Sequence, residues 1–236
     1  MSTKIFLTDS YAKECESSVA MADGKFVALD QTIFYPQGGG QPTDTGKIIS
    51  AKGDEYKVVF AKQNGGEVAL EVDREGLRKA DAVRCVLDWD RRYRLMRMHT
   101  SAHLLAATIH RELGALITGN QLDEKLSRMD FNVLDFDRSL LKLFENMVNE
   151  CIAKDLPVTV SFEEKEKAMQ RPELFKLKDV LPKDLPVFRI VQIGDYDTQA
   201  DGGTHVRSTA EIGAIRIVDF KNKGAQNRRI YWELVG

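Results

Sequence analysis

The chain is expected to fold as an α+β protein: a small antiparallel β-barrel, then an α+β domain in which one long metal-bearing helix packs against a mostly antiparallel sheet. Three observations predict this. The first ~85 residues hold five or six short strand-like runs, broken by turn residues, with almost no helical period. A helical period then begins abruptly in "VLDWDRRYRLMRMHTSAHLLAATIHREL". Beyond it, strand-like runs alternate with a single further helix, the interleaving typical of an α+β domain. The change of period places the boundary near residues 86–90, giving a barrel domain over 1–88 and a second domain over 89–236.

Taken in order, "KIFLTD" reads as a first strand, and "SSVAMADGKFVALD" as a hairpin around Asp23 and Gly24. After "TIFYPQGGGQPTDTGKIIS" come "EYKVVFAK" and "EVALEVD", separated by Asn64, Gly65 and Gly66. Leu95, Met98, Ala102, Leu105 and Ile109 recur every three or four residues, predicting an amphipathic helix from Asp90 to Leu113. A second helix fits "RSLLKLFENMVNECIAKD", with Leu140, Phe144, Met147 and Cys151 on one face. Further strands are expected at "LSRMDFNVL", "PVTVSF", "PVFRIVQIG", "GAIRIVDF" and "RRIYWELVG".

Composition narrows the function. Of 236 residues, 43% are hydrophobic and 30% charged, and the formal net charge is −2. No global basic field advertises nucleic acid, so any RNA contact must be local and DNA is not an expected partner. No apolar run approaches the ~20 residues of a membrane span, and the N-terminus lacks the pattern of a signal peptide. Cys15, Cys85 and Cys151 are odd in number and widely spaced, so a disulfide framework is not expected and a reducing cytoplasm is.

Chemistry is suggested by the histidines. His99 and His103 in "RMHTSAHLL" lie one turn apart on one helix face. The protease motif H-E-x-x-H carries its general base at the second position; here that residue is Thr100. His205 lies in "QADGGTHVRST", where two glycines suggest a tight turn. Two histidines on a helix and one from a distant loop suit a three-ligand metal site with a fourth position open to water or a carboxylate. Imidazole alone does not fix the metal. His110, seven residues beyond His103, is expected on the helix surface without a role.

"HTSAHLL" followed by a distant "GGTHV" resembles the editing domains of alanyl- and threonyl-tRNA synthetases. "FYPQGGGQPTDTG" (residues 34–46), "DWDRRYRLMRMH" and "GAQNRRIYWEL" are similar to the alanyl family in particular. The resemblance runs from about residue 25 to the end and reaches only the editing half. It is therefore to the free-standing alanyl-tRNA editing proteins of the AlaX type, in the longer form with the glycine-rich motif.

This resemblance implies a deacylase acting in trans on tRNA(Ala) mischarged with serine or glycine, sparing Ala-tRNA(Ala) and engaging the acceptor end. It implies one zinc per chain on His99, His103 and His205. The family commonly has cysteine where this chain has Asp201. That carboxylate either replaces the thiolate as fourth ligand or orients a histidine while water completes the metal. Gly38, Gly39 and Gly40 would bring the backbone close to the pocket, and Thr43 would select serine. A pocket cannot exclude the smaller alanine by size, so a polar contact must discriminate. Gln121, Asp130 and Thr204 are expected at the pocket wall, and Arg91, Arg92, Arg228 and Arg229 against RNA phosphates. The alternatives are a tRNA-binding or synthetase-associated module without catalysis, and a general zinc-dependent esterase.

Overall fold

The computed structural model describes residues 2–134, 137–176, 185–224 and 227–236. Ala225 and Gln226 of the "GAQNRRIYWEL" motif lie outside the described residues. The fold is α+β and the chain divides into two compact units, Met1–Leu95 and Met96–Gly236.

The first unit contains β1 (Thr3–Lys4), β2 (Glu14–Asp23), β3 (Phe26–Leu29), β4 (Gln31–Thr32), β5 (Gly46–Ser50), β6 (Glu55–Asn64), β7 (Glu67–Val72) and β8 (Ala82–Leu87). Six of these close an antiparallel barrel in the order β2-β3-β7-β6-β5-β8. Period-two alternation drives closure: Val68, Leu70 and Val72 of β7 and Val83, Cys85 and Leu87 of β8 are buried, with their neighbours more exposed. They join Val27, Leu29, Ile48, Val58 and Ala61 in one core. Two hairpin loops are two residues long, Gly24 and Lys25 between the paired Asp23 and Phe26, and Gly65 and Gly66 between Asn64 and Glu67.

The first expected strand is shorter than "KIFLTD" suggests. Thr3 and Lys4 pair in parallel with β4, and Ile5–Leu7 then turns into a 3-10 helix that buries Phe6. One apolar side chain is covered by turning, where an extended run would have no further partner strand.

The helix α1 (Trp89–Leu113) follows β8 after one residue. Leu95, Met98, Ala102, Leu105 and Ile109 are buried as the period predicts, but so is every other residue from Met98 to Ile109. The helix is enclosed on all sides there, not amphipathic. Its polar residues tolerate this because they are satisfied locally: Thr100, Ser101 and Thr108 donate to the carbonyls of Met96, Met98 and Leu104 at 2.8–2.9 Å.

In the second unit, β14 (Ala214–Asn222), β15 (Arg228–Val235), β10 (Ser127–Phe131) and β9 (Ile117–Gln121) form an antiparallel sheet in that order. A second sheet orders β11 (Val158–Glu164), β12 (Val187–Ile193) and β13 (Asp197–Ala200). Trp232 of β15 donates from its indole nitrogen to Ser101 of α1 at 2.9 Å, joining the helix to the larger sheet. α2 (Leu140–Ala153) buries Phe144, Val148, Cys151 and Ile152, while Leu140 and Met147 are only half-buried. The Asn149 amide of α2 holds both backbone groups of Ile215, and Glu145 accepts from Ile217 N. Among the described residues no helix is long and apolar enough to cross a membrane.

Arg92 is expected to face RNA but is 0% exposed. Its Nε donates to both oxygens of Asp44 at 2.9 Å, and its Nη2 to the same carboxylate and to Ile33 O. Nη1 reaches Ser10 O, and Asp44 also accepts from Tyr35 N at 2.6 Å. A planar fork meeting a carboxylate and two carbonyls satisfies both buried charges. Removing one partner leaves the other uncompensated. Arg92→Ala should therefore cost about 3–5 kcal/mol of stability, read by chemical denaturation, with Arg92→Lys recovering only part because it lacks the fork.

Candidate metal centre

Two elements of the second unit supply the site. α1 presents His99 and His103 one turn apart, with ring centroids 5.3 Å from each other. β13 and the loop after it supply the rest. Asp197 and Gln199 are buried on one side of β13, and Asp201 continues that alternation just past the strand end. The chain then turns to bring His205 to 4.5 Å from His99 and 4.7 Å from His103, centroid to centroid.

Gly203 makes this possible. A Cβ there would stand 2.1 Å from His99 Cε1 and 2.3 Å from Nδ1, so only a bare backbone can pass the imidazole. Its amide donates to Asp201 Oδ2 at 2.6 Å, closing the turn.

The outcome is four ligand atoms, from His99, His103, Asp201 and His205, all within 4.8 Å of one another. Asp201 Oδ2 lies 3.0 Å from His205 Nε2, and Oδ1 lies 3.5 Å from His99 Nε2 and 4.0 Å from His103 Nε2. Three imidazoles and a carboxylate at this spacing form a donor set that could hold one metal ion, and nitrogen and oxygen ligands suit zinc among others.

The outward nitrogens orient the rings. His103 Nδ1 is 3.0 Å from Asp197 Oδ2 and must donate to that carboxylate, which leaves its lone pair on Nε2. His205 Nδ1 is 3.1 Å from Thr100 Oγ1, which also lies 2.9 Å from Met96 O. His205 Nε2 is 3.0 Å from Asp201 Oδ2; it bonds that carboxylate as an N–H and gives the proton up to ligate a metal. Thr100, at the position of the protease glutamate, is thus a positioning residue for His205. Asp197 is itself held by Lys176 and by Gln199 Nε2 at 2.9 Å.

Burial dominates the electrostatics. It pushes His99 down to about 4, and the charge of Asp201 only partly opposes this. It likewise lowers His205 well below the ordinary histidine range, with the neighbouring imidazoles adding to the effect. Burial alone would raise Asp201, but the three histidines outweigh it and hold the carboxyl well below its usual range. Near neutral pH Asp201 is therefore a carboxylate beside neutral His99 and His205, the protonation state that favours metal binding.

The remaining expected residues fall in both units. In the first unit, Gly38 and Gln41 exchange backbone hydrogen bonds across Gly39 and Gly40, whose φ of 56° and 84° demand glycine. Thr43 is buried; its hydroxyl accepts from Ala61 N at 2.7 Å and donates to Asp44 O at 3.0 Å. Arg91 donates to Thr43 O at 3.0 Å. In the second unit, Thr204 is fully buried beside His205. Gln121 is exposed and accepts from Arg128. Asp130 is buried in a two-bond pair with Arg229 at 2.6 and 2.7 Å, which directs that arginine into the sheet. Arg228 donates to the carbonyls of Gly224 and Leu134. His110 is half-buried, 3.0 Å from Ala115 O. Asp197, Gln199 and Lys176 carried no expectation; the strand-period spacing D-x-Q-x-D over 197–201 was the available signal for the first two.

Two outcomes follow for metal retention, measured by elemental analysis and zinc titration. Gly203→Ala should lose most of the bound metal, since His99 must move. Asp201→Ala should weaken binding markedly if the carboxylate is a ligand, whereas Asp201→Cys should retain it through the thiolate. A series in which neither Asp201 change affects affinity would remove it from the ligand set.

Two family models match the chain. That for tRNA synthetases class II (A) covers residues 2–91, and that for the threonyl and alanyl tRNA synthetase second additional domain covers residues 188–231, including Asp201 and His205. The chain is 42% identical over 244 residues to alanyl-tRNA editing protein AlaX-M of Methanosarcina barkeri, covering 100% of both chains. It is also 42% identical to the AlaX-M protein of Saccharolobus solfataricus, over 98% of each. An alanine–tRNA ligase of Pyrobaculum calidifontis is 37% identical over 91% of this chain, which spans 25% of that longer enzyme. The full-length match places this chain in the AlaX-M family of alanyl-tRNA editing proteins.

Proposed function

We propose that this protein hydrolyses the aminoacyl ester of tRNA(Ala) mischarged with serine or glycine, and spares Ala-tRNA(Ala). Alanyl-tRNA editing is the function its family carries by name. The observation that carries the finer reading is the convergence of His99, His103, Asp201 and His205 in a chain of that family. The partner is the acceptor end of tRNA(Ala), met in the cytoplasm, and the cofactor is one zinc per chain.

Bound zinc would act as a Lewis acid, polarising the ester carbonyl or lowering the pKa of water. The chain's own residues supply orientation. Asp197 holds the Nδ1 proton of His103, and Thr100 stands 3.1 Å from Nδ1 of His205, so both rings keep Nε2 directed inward. Asp201 is anchored by the Gly203 amide. An aminoacyl ester is more activated than a peptide, so Thr100 can stand where a protease needs its glutamate.

The direct test is deacylation of Ser-, Gly- and Ala-charged tRNA(Ala), with and without chelator. The first two should be hydrolysed and the third spared, with activity lost on chelation, restored by zinc, and absent in His103→Ala. Full activity without any transition metal would overturn the zinc assignment. Binding without deacylation would overturn the enzyme reading, and turnover of small esters irrespective of RNA would make the protein a general esterase.

Selection of serine is assigned to Thr43, set by the Gly38–Gly40 turn. Its hydroxyl uses its proton and one lone pair within the barrel, leaving one lone pair for a substrate hydroxyl. The methyl of alanine cannot donate there. Thr43→Val should narrow the Ser-over-Ala ratio by roughly tenfold, the effect of one hydrogen bond worth ~1.4 kcal/mol. Because Ala61 N also loses its acceptor, Thr43→Ser is the control that keeps the hydroxyl. An unchanged ratio in a folded Thr43→Val protein would place selection elsewhere.

A further inference from the structure

Cys15 and Cys85 are 70 positions apart in sequence yet directly opposed in the antiparallel ladder of β2 and β8. Both side chains therefore stand on the same face, and that face is the barrel interior, where Cys85 is fully buried in the core and Cys15 is packed partly buried against it. Leu87 N donates to Lys13 O and Val19 N to Asp81 O, so the odd-numbered positions of β2, Cys15 among them, are hydrogen-bonded pairs. At such pairs Cα atoms stand about 5.5 Å apart, within the roughly 4.4–6.8 Å that a disulfide spans.

We propose that Cys15 and Cys85 form a thiol–disulfide exchange site that takes a small-molecule disulfide of the glutathione type and closes reversibly into a cross-strand bond between β2 and β8. Cys15, the half-buried member, is the attacking thiol; Cys85, fully buried opposite it, is the resolving one. The thiolate of Cys15 attacks one sulfur of the small disulfide, releasing one thiol and leaving a mixed disulfide on Cys15. Cys85 gives up its proton and attacks the Cys15 sulfur, expelling the second small thiol. Two electrons and two protons pass from the cysteine pair to the small disulfide, which departs as two thiols.

The division of roles agrees with the electrostatics. The neighbouring Cys85 thiol lowers Cys15, while the nearness of Cys15 together with burial raises Cys85. A partly exposed thiol favoured as thiolate beside a protonated partner is the usual arrangement of a redox-responsive pair. Cys151 is different: it lies buried on α2, and burial pushes it up to about 11.

The bond would be a labile one. Opposed Cβ atoms in a ladder stand roughly 4.5–5.5 Å apart, whereas a disulfide draws them to about 3.5–4.5 Å and stores strain when it must pull them together. Reduced glutathione should therefore reopen it, which suits a response to thiol balance and not a permanent staple.

The inference is independent of the proposed function and is tested on the full-length reduced protein. It is incubated with oxidised glutathione, alkylated under acid quench and weighed by mass spectrometry. The expected product is lighter by two hydrogens before alkylation, takes label only at Cys151, yields a joined peptide holding Cys15 and Cys85, and is restored by excess reduced glutathione. In Cys85→Ser the reaction should stop at one glutathione adduct on Cys15, and in Cys15→Ser no adduct should form. Three alkylatable thiols after treatment of the wild-type chain would overturn the proposal. So would a glutathione adduct that persists on Cys15 with Cys85 free, or a bond joining Cys15 residues of two chains.

Discussion

A carboxylate and three imidazoles share a largely buried space in which Asp201 is the partly exposed member, and the second unit is arranged around the terms on which they can coexist. Three protonated histidines so close would repel one another with little screening, so burial favours the neutral rings. Neutral rings still need a partner for each remaining N–H. Asp197 provides it for His103, and Thr100 and Asp201 flank the two nitrogens of His205, so that Nε2 of each ring faces inward. The cluster is thus built with its ring nitrogens already converged. Little reorganisation is left for binding, which is what distinguishes a prepared site from a chance grouping of polar residues.

That preparation depends on enclosing α1. A helix with one wet face could carry the histidines, but their rings would sample several rotamers in water. From Met98 to Ile109 this helix has no wet face, and its hydroxyls are absorbed by its own carbonyls and by Trp232 and Tyr196. The barrel solves an analogous problem with the Arg92 and Asp44 pair, where a full set of hydrogen bonds makes an interior charge tolerable. In both units the polar groups deepest inside have the most complete sets of partners.

Whatever rests on period and local chemistry is legible in the sequence. The barrel strands other than β8, the bounds of α1 and the shared face of His99 and His103 follow from alternation and helical spacing, while His205 is tied to that pair by a glycine-marked turn and by the resemblance. Partners brought together by register or tertiary packing are not. Arg92 and Arg229 carry the same charge as an RNA-facing arginine, and only the fold reveals Asp44 and Asp130 beside them. Met147 has the right spacing for the α2 core, yet the helix is rotated so that Val148 takes that place. β13 is too short and polar to announce itself, so Asp197 went unseen. Cys15 and Cys85 meet only through the β2–β8 register, which nothing in their separation specifies.

The resemblance implies a cysteine at position 201, and the aspartate that stands there divides its two oxygens between two tasks. Oδ2 accepts the Gly203 amide and lies against His205, while Oδ1 is the oxygen turned toward His99 and His103. One atom of the group can thus close the glycine turn while the other is presented for ligation. A thiolate has a single sulfur and accepts hydrogen bonds weakly, so it would serve as ligand but hold the turn less firmly. The carboxylate exchanges a softer metal bond for a better-fixed loop. In a site where the passage of Gly203 past His99 leaves no spare space, fixing that loop is as much a part of positioning the ligands as the ligands themselves.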